Sequence, residues 1–260
     1  MSNAFDLKFL GTSACEFSEK LNGEFKNCFD KDARRSSAML ICGSYLVDCG
    51  IYALESLRIA SVPLSDITNV FVTHLHRDHY KWENLVAIAK EARKPLRIWV
   101  REGAEIAPID NAEIIEMTPF VEYTVDSDIS VIGMPANHDP LAHPQHFIFK
   151  KGGKKIFYGC DGGWFVNLTF KFLTNQKLDL AVLDSTVGDY DGDFRVGEHN
   201  SISMIRLLLP SLRTIGAIRE DTKIILSHLA PSLHKSHSET EKIAETLGAT
   251  VAYDGFETGV

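Results

Sequence analysis

The run Asn69-Val70-Phe71-Val72-Thr73-His74-Leu75-His76-Arg77-Asp78-His79 joins a short apolar segment to three imidazoles and a carboxylate. Residues 69–72 read as a buried strand, because an apolar β-branched and aromatic run bounded by polar residues fits a pleated interior. In extended backbone His74 and His76, two apart, point to the same side. Asp78 and His79 follow in a turn that lets them face back toward the same point. Neutral ring nitrogens and an anionic oxygen grouped at a rigid strand end suit a first-row metal ion. The plain alternative is a surface loop rich in histidine. Two metals need roughly four to six ligands each, so these four residues are about half a set. The rest of the chain must supply the others.

The same arrangement recurs along the chain. Residues 38–47 read as a hairpin about Gly43-Ser44 that ends at Asp48-Cys49-Gly50. Residues 131–135 deliver the chain to Asn137-His138. A hairpin of residues 147–150 and 155–158 turns at Gly152-Gly153 and ends at Cys160-Asp161-Gly162-Gly163. Residues 178–183 end at Asp184, and residues 224–227 lead to His228. Hydrophobic strands thus give out at a bare His or Asp five times: Asp48, the His74 cluster, His138, Asp161 and His228. Open sheets place their ligands on loops just outside strand ends. Between these strands, residues 51–60, 83–93, 201–209 and 238–247 have helical spacing, and residues 7–10, 96–100 and 250–253 read as further strands. Residues 111–135 alternate as strands. Residues 15–35 are polar and aperiodic, a length without structure that is uncommon unless a loop covers a site.

At 260 residues, with 45% hydrophobic and 24% charged residues, the chain suits one large α/β domain or two intimate halves with a substantial core. Net charge is −8 and the pI is near 5.7. With no Lys/Arg tract, an extended nucleic-acid surface is disfavoured electrostatically, while local basic groups can still meet a small anion. Cys15, Cys28, Cys42, Cys49 and Cys160 are odd in number and lack C-x-x-C spacing, which argues against a disulfide framework or a thiolate zinc site. The first residues show neither a basic nor an apolar leader segment, and no apolar run approaches about 18 residues. A cytoplasmic protein with no membrane span is expected.

His74-x-His76-x-Asp78-His79, followed in order by His138, Asp161 and His228, resembles the signature of the metallo-β-lactamase superfamily over nearly the whole chain. The resemblance implies an α/β (α+β) fold: an αββα sandwich of two mixed sheets flanked by helices, with a dinuclear site at one edge. It implies a single domain spanning 1–260, built of two pseudo-equivalent halves at about 1–125 and 126–260. By the same resemblance His74, His76 and His138 hold one divalent ion, Asp78, His79 and His228 hold the other, and Asp161 bridges, where the lactamases that name the superfamily use cysteine. An all-nitrogen-and-oxygen ligand set suits Zn, Mn or Fe(II). Two such ions bring +4 against −2 from Asp78 and Asp161, so the centre keeps positive charge for an anion. Ions roughly 3.5–4 Å apart can also lower the pKa of a bridging water. Asp48 and Asp184 read as residues that orient ligands from behind, Asp48 equally well as a strand-end turn.

A narrower resemblance lies in the flanks. Gly11-Thr12, Arg34-Arg35-Ser36-Ser37, Gly197-Glu198-His199-Asn200 and Ala252-Tyr253-Asp254-Gly255 resemble the PhnP-like cyclic phosphodiesterases. The chain departs from them in lacking their structural zinc site: Cys15 and Cys28 are widely spaced, and Pro231 stands three positions past His228. The resemblance implies hydrolysis of a small phosphate ester, cyclic ones included, with Asp78 and His199 as catalytic residues. His199 would protonate the leaving oxygen, or else serve only near a helix N-cap beside Asn200. Arg34, Arg35 and Ser37 would contact the phosphate, unless the arginines face solvent or pair with Asp32. Other readings keep the site and change its use: lactone, ester or thioester hydrolysis, or metal binding without catalysis. A tRNA-processing nuclease is disfavoured by the acidic balance. A small anionic substrate is expected, with a homodimer left open.

Several residues compete for these roles. His143 and His146 rival His138, which follows its strand directly. His234 and His237, in a polar stretch, read as surface or pocket rim. Asp189, Asp191 and Asp193 around Gly192 resemble half a calcium loop with no Glu at the required offset, and read as a solvated turn. Trp164, Phe165 and Tyr190 read as core or pocket lining.

Overall fold

Apolar runs become fourteen strands among the described residues, which are residues 4–260 of a computed structural model. The first sheet draws on β1 (Asp6–Gly11), β2 (Ala38–Ile41), β3 (Tyr45–Val47), β4 (Asn69–Phe71), β5 (Leu96–Arg101) and β6 (Ala112–Met117). Helices α1 (Ala53–Ile59) and α2 (Trp82–Glu91) connect them. The chain then builds β7 (Glu122–Thr124), β8 (Ile129–Pro135), β9 (Gln145–Lys151), β10 (Lys154–Gly159), β11 (Leu178–Asp184), β12 (Ile218–Ser227) and β13 (Ala249–Val251). Helices α3 (Asn167–Leu173), α4 (Ile202–Thr214) and α5 (His237–Glu245) lie among these. A last strand, β14 (Glu257–Gly259), returns to the first sheet and pairs antiparallel with β1, Asp6 opposite Gly259.

Strand order is β14-β1-β2-β3-β4-β5-β6 in one sheet and β13-β12-β11-β10-β9-β8-β7 in the other. Both are mixed: β3 to β6 run parallel, as do β10 to β13, and the remaining pairs are antiparallel. The inner faces meet through Phe9, Phe71, Trp99, Phe147, Phe149 and Tyr158, all buried. Outside the first sheet, Leu57 of α1 with Leu85 and Ile88 of α2 cover Val70 and Ile98. Outside the second, Leu173, Ile205, Leu209 and Ala244 of α3, α4 and α5 do the same. The architecture is the αββα sandwich of the α+β class that the sequence implied.

Local chemistry explains the helices and one surprise. Ser201 caps α4 by accepting from the Met204 N–H, and Ile202, Ile205, Leu208, Leu209 and Leu212 form its buried stripe. The helix runs past the expected stop at 209 although Pro210 cannot donate to a carbonyl one turn back. Burying Leu212 contributes about 1.5–3 kcal/mol, comparable to the proline's cost. Ser236 and Glu239 close a capping box on α5. Helix α3 was not expected, because its seven residues are too few for a period to register. No helix among the described residues is long and apolar enough to cross a membrane.

The segment 15–35 carries one 3-10 turn, Glu19–Asn22, and is tied down at its end by two arginines. This corrects the expected phosphate contacts. Arg35 is fully buried: Nε donates to Glu55 Oε1 at 2.8 Å, Nη1 to the Cys28 carbonyl at 3.3 Å and Nη2 to the Phe25 carbonyl. Arg34 Nη1 donates to Thr12 Oγ1 at 2.7 Å and to the Ala252 carbonyl at 2.6 Å, with Nη2 3.0 Å from His237 Nδ1. Ser37 donates to the Ser13 carbonyl at 2.9 Å. All three are consumed in fastening the segment to β1, α1 and the chain's end. None lines the cavity at the strand ends. Asp32 pairs with neither arginine but accepts from the His237 N–H.

At the centre of this clamp Asp254 accepts from Thr12 Oγ1 at 2.9 Å and the Arg35 N–H at 2.7 Å. Burial pushes its carboxyl up to about 7, against the pull of those donors and the arginines. Between the unfolded value near 3.8 and about 7 the folded protein therefore holds the extra proton. This group's contribution to stability is full below that window and falls as pH rises through it. Asp254→Asn is expected to flatten the fall, which urea unfolding at pH 4.5, 6 and 7.5 would read as a smaller wild-type-like slope. An unchanged slope would refute the assignment.

Candidate metal centre

The parallel strands aim their C-terminal ends at one edge of the sandwich, and the polar residues sit just beyond them. β3 ends at Asp48, β4 at the run 73–79, β8 before His138, β10 before Asp161, β11 at Asp184 and β12 before His228. Asp48, Asp161 and His228 have left-handed backbones, with φ of 64°, 27° and 60°. Such conformations cost on the order of 1–3 kcal/mol for a residue with a Cβ and gather at functional sites. Gly50 lets the turn approach: a Cβ there would lie 1.7 Å from the Asp78 carbonyl oxygen. In its absence the Cys49 N–H reaches the His79 carbonyl and the Ile51 N–H reaches that of Arg77, pinning the turn to the strand beside it.

Four overlapping groups of potential ligand atoms result, each with its members within 4.8 Å of one another, and two of them hold the expected ligands: His74, His76, His138 and Asp161; and Asp78, His79, Asp161 and His228. Asp161 belongs to both of these; the other two are Asp161, Asp184, His199 and His228, and His138, Glu198 and His199. Its Oδ2 lies 3.3 Å from Nε2 of His74, His79 and His228 and 3.6 Å from Nε2 of His138. His79 Nε2 and His228 Nε2 are 3.1 Å apart, as are His138 Nε2 and His76 Nδ1. All but His76 are buried.

The outer nitrogens explain how these rings are held. His79 donates Nδ1–H to Asp48 at 2.7 Å, and Asp48 also accepts from the Thr73 N–H and hydroxyl. His228 Nδ1 lies 2.8 Å from Thr186 Oγ1 and 3.1 Å from Asp184. His74 Nδ1 meets Thr73 Oγ1 at 3.0 Å, and His76 Nε2 meets Asp139 at 3.3 Å. A carboxylate or hydroxyl behind a histidine fixes its tautomer and turns the other lone pair inward. Lone pairs of His79 and His228 then face each other across 3.1 Å beside two carboxylates, while His74 Nε2 is buried without a hydrogen-bond partner. That convergence of electron pairs fits a divalent cation in each group.

Without cations, protons take that role. Burial works against charging His228, but Asp161 and Asp184 outweigh it and raise it to about 9; His199, beside the same pair, rises to about 11. His74 goes the other way, pushed down to about 3 by burial. Metal binding displaces such protons, so affinity should increase with pH.

The residues flanking this centre divide clearly. His199 Nδ1 lies 2.9 Å from Asp161 Oδ1, 3.5 Å from Asp184 and 3.2 Å from Thr186 Oγ1. Asn200 fastens its turn, donating its N–H to Asp184 and its amide to the Gly162 carbonyl. A cavity of about 420 Å³ opens over the centre, walled by Cys15, Glu16, Arg77, Arg195, Glu198 and His199. Sequence reading missed Arg195, Glu198, Thr186 and Asp139 as contributors; only their closeness to His138, Asp184 and His199 in the chain hinted at them. His146 is buried edge-on between Phe157 and Phe165, burial lowering it to about 4, and belongs to neither ligand group. His143 caps a 3-10 turn and packs by Gly103. His234 is half-buried at the rim of a second cavity and bonds the Ser185 carbonyl, whereas His237 is buried against Arg34. Asp189 pairs with Arg206 and Asp193 with Arg195. Phe165 is core, while Trp164 and Tyr190 are exposed.

Comparison with known proteins agrees with this geometry. Residues 26–102 match the family model described as anti-Pycsar protein Apyc1. The curated Apyc1 of Paenibacillus xerothermodurans is 33% identical over 55 residues, 20% of this chain, and the match spans 22% of that protein's length. Among solved structures, the metallo-β-lactamase fold protein YhfI from Bacillus subtilis superposes with a TM-score of 0.75 at 16% identity, covering all of both chains. A diphosphatase from the PhnP family superposes at 0.72 with 14% identity, over 98% of this chain and 97% of that one. Sandwich, strand-end cluster and full-length superposition coincide: this chain has the metallo-β-lactamase fold.

Proposed function

We propose that the protein is a metal-dependent hydrolase, a phosphodiesterase acting on a small phosphate ester, cyclic esters included, with two divalent ions of Zn, Mn or Fe. The observation that carries this reading is Asp161, whose two oxygens reach four ligand imidazoles on one side and His199 on the other. His74, His76 and His138 would hold one ion, Asp78, His79 and His228 the other, with Asp161 shared. Bound there, a cation pair supplies Lewis acidity and a water acidified toward neutral pH.

The chain's own residues do the rest. His199 keeps Nδ1 on Asp161 and Asp184, whose charges favour its protonated form, and this leaves Nε2 for the cavity. A protonated imidazole in that position can give its proton to a departing alkoxide. Arg77 and Arg195, together with Glu16 and Glu198, line the cavity, the place in which Arg34 and Arg35 had been expected. An anionic ester would draw on the charge of the bound cations, as a neutral lactone would not. The fold likeness to a PhnP-family diphosphatase and the short match to Apyc1 support a phosphorus ester.

Protein loaded with manganese or zinc is expected to hydrolyse bis-p-nitrophenyl phosphate faster than lactone or β-lactam panels, and to lose that activity on chelation. Lactone turnover without diester turnover would reverse the assignment, and no turnover with two ions bound would favour a metal-binding role. His199→Ala is expected to lower kcat on the diester by about 10²–10⁴-fold while metal content stays the same. An unchanged kcat would remove the proton-donor role and leave the centre standing.

A further inference from the structure

Among the five ligand histidines of the centre, four have their outer ring nitrogen occupied: His74 by Thr73, His76 by Asp139, His79 by Asp48 and His228 by Thr186 and Asp184. His138 is the exception. Its side chain is 4% exposed, and its Nδ1 is buried with no hydrogen-bond partner. A buried, unpaired ring nitrogen forfeits about 1–3 kcal/mol of desolvation. Glu198 Oε2 stands 3.9 Å from that nitrogen, and the Glu198 side chain is 59% exposed, so it has room to move.

We propose that Glu198 is the positioning residue of His138: on ion binding its carboxylate closes by about 1 Å to accept the His138 Nδ1–H. The inference rests on the metal-centre reading and assigns one cation subsite an outer carboxylate that it otherwise lacks. The backbone is built for it. The N–H groups of Glu198 and His199 both donate to the Arg195 carbonyl, at 2.9 Å each, which sets the turn. Asn137, next to His138, donates its side-chain amide to the Gly197 carbonyl at 3.3 Å and accepts the Gly163 N–H at 2.9 Å. The loop carrying His138 and the turn carrying Glu198 are thus joined, and only a side-chain rotation separates the two groups. Adjacent in the chain, Glu198 and His199 both lie beside His138, and His199 also stands with His228, Asp161 and Asp184.

The test is calorimetric titration of metal-free protein with manganese or zinc, comparing wild type, Glu198→Ala and Glu198→Gln. Wild type is expected to take up two ions. Glu198→Ala should bind one of them about 10–100-fold more weakly and leave the other unaltered, the usual effect of losing an outer partner. Glu198→Gln, which keeps an acceptor oxygen at the same reach, should recover most of that loss. Unchanged affinities in Glu198→Ala, equal weakening at both ions, or a Gln variant as weak as the Ala variant would each overturn the proposal. Failure of wild type to bind two ions would instead overturn the metal centre, and the role of Glu198 with it. Circular dichroism of the exposed-site variants keeps misfolding out of the comparison.

Discussion

Asp161→Ala is expected to leave the protein with fewer than two tightly held ions and to cut diesterase kcat by more than the ~10²–10⁴-fold expected for loss of the proton donor alone. The reason is its unique position. Asp161 is the residue common to both ligand groups, with Oδ2 3.3–3.6 Å from four imidazoles and Oδ1 2.9 Å from His199. Removing it takes a ligand from each ion and the partner that keeps His199 charged, so its effect should exceed that of His199→Ala. Asp78→Ala, by contrast, touches one group alone and should weaken one ion. Elemental analysis after gel filtration, together with diester kinetics, reads both quantities. Two equivalents of metal and near-normal turnover in Asp161→Ala would sink the shared-ligand reading.

Arg35→Ala is expected to act on stability. Its guanidinium is fully buried, spans Glu55, Cys28 and Phe25, and lies 3.7 Å from Asp254. Truncation leaves the buried Asp254 and the half-buried Glu55, with the Phe25 and Cys28 carbonyls, without their donor, and breaking a buried ionic network from one side costs up to about 3–5 kcal/mol. At about 2–4 °C per kcal/mol for a chain near this size, Tm should drop by roughly 6–20 °C. KM for the diester in the protein that remains folded at low temperature should stay near wild type. A large rise in KM with unchanged Tm would restore Arg35 to the substrate. Arg195→Ala offers the contrast, because its guanidinium lies in the cavity wall.

Chain-local signals made much of the fold and of the strand-end His/Asp cluster legible. β4 and the His74–His79 run needed only an apolar strand and a two-residue period, and the residues that follow β8, β10 and β12 are one to three positions past their strands. A strand's length and its polar terminus are written in adjacent residues, so His138, Asp161 and His228 could be picked out before any contact was known. Short elements were harder. α3 and β14 carry three to seven residues each, too few for a period to stand out.

Tertiary structure alone decided the partners. Arg34 and Arg35 sit in a motif that reads equally well as anion-binding or structural, and only the meeting of residues 12, 34–35 and 252–254, more than 200 positions apart, buries them in a clamp. His146 lies within β9, which sends it between phenylalanine rings, while His138 stands in the loop beyond β8 and joins the ligand group. The amino-acid order thus determined which side chains stand at which strand tips, because that depends on neighbours in the chain. Which of them face one another, which nitrogen is satisfied and which charge is buried followed from packing two sheets together, because hydrogen-bond partnership and desolvation are properties of distance in space.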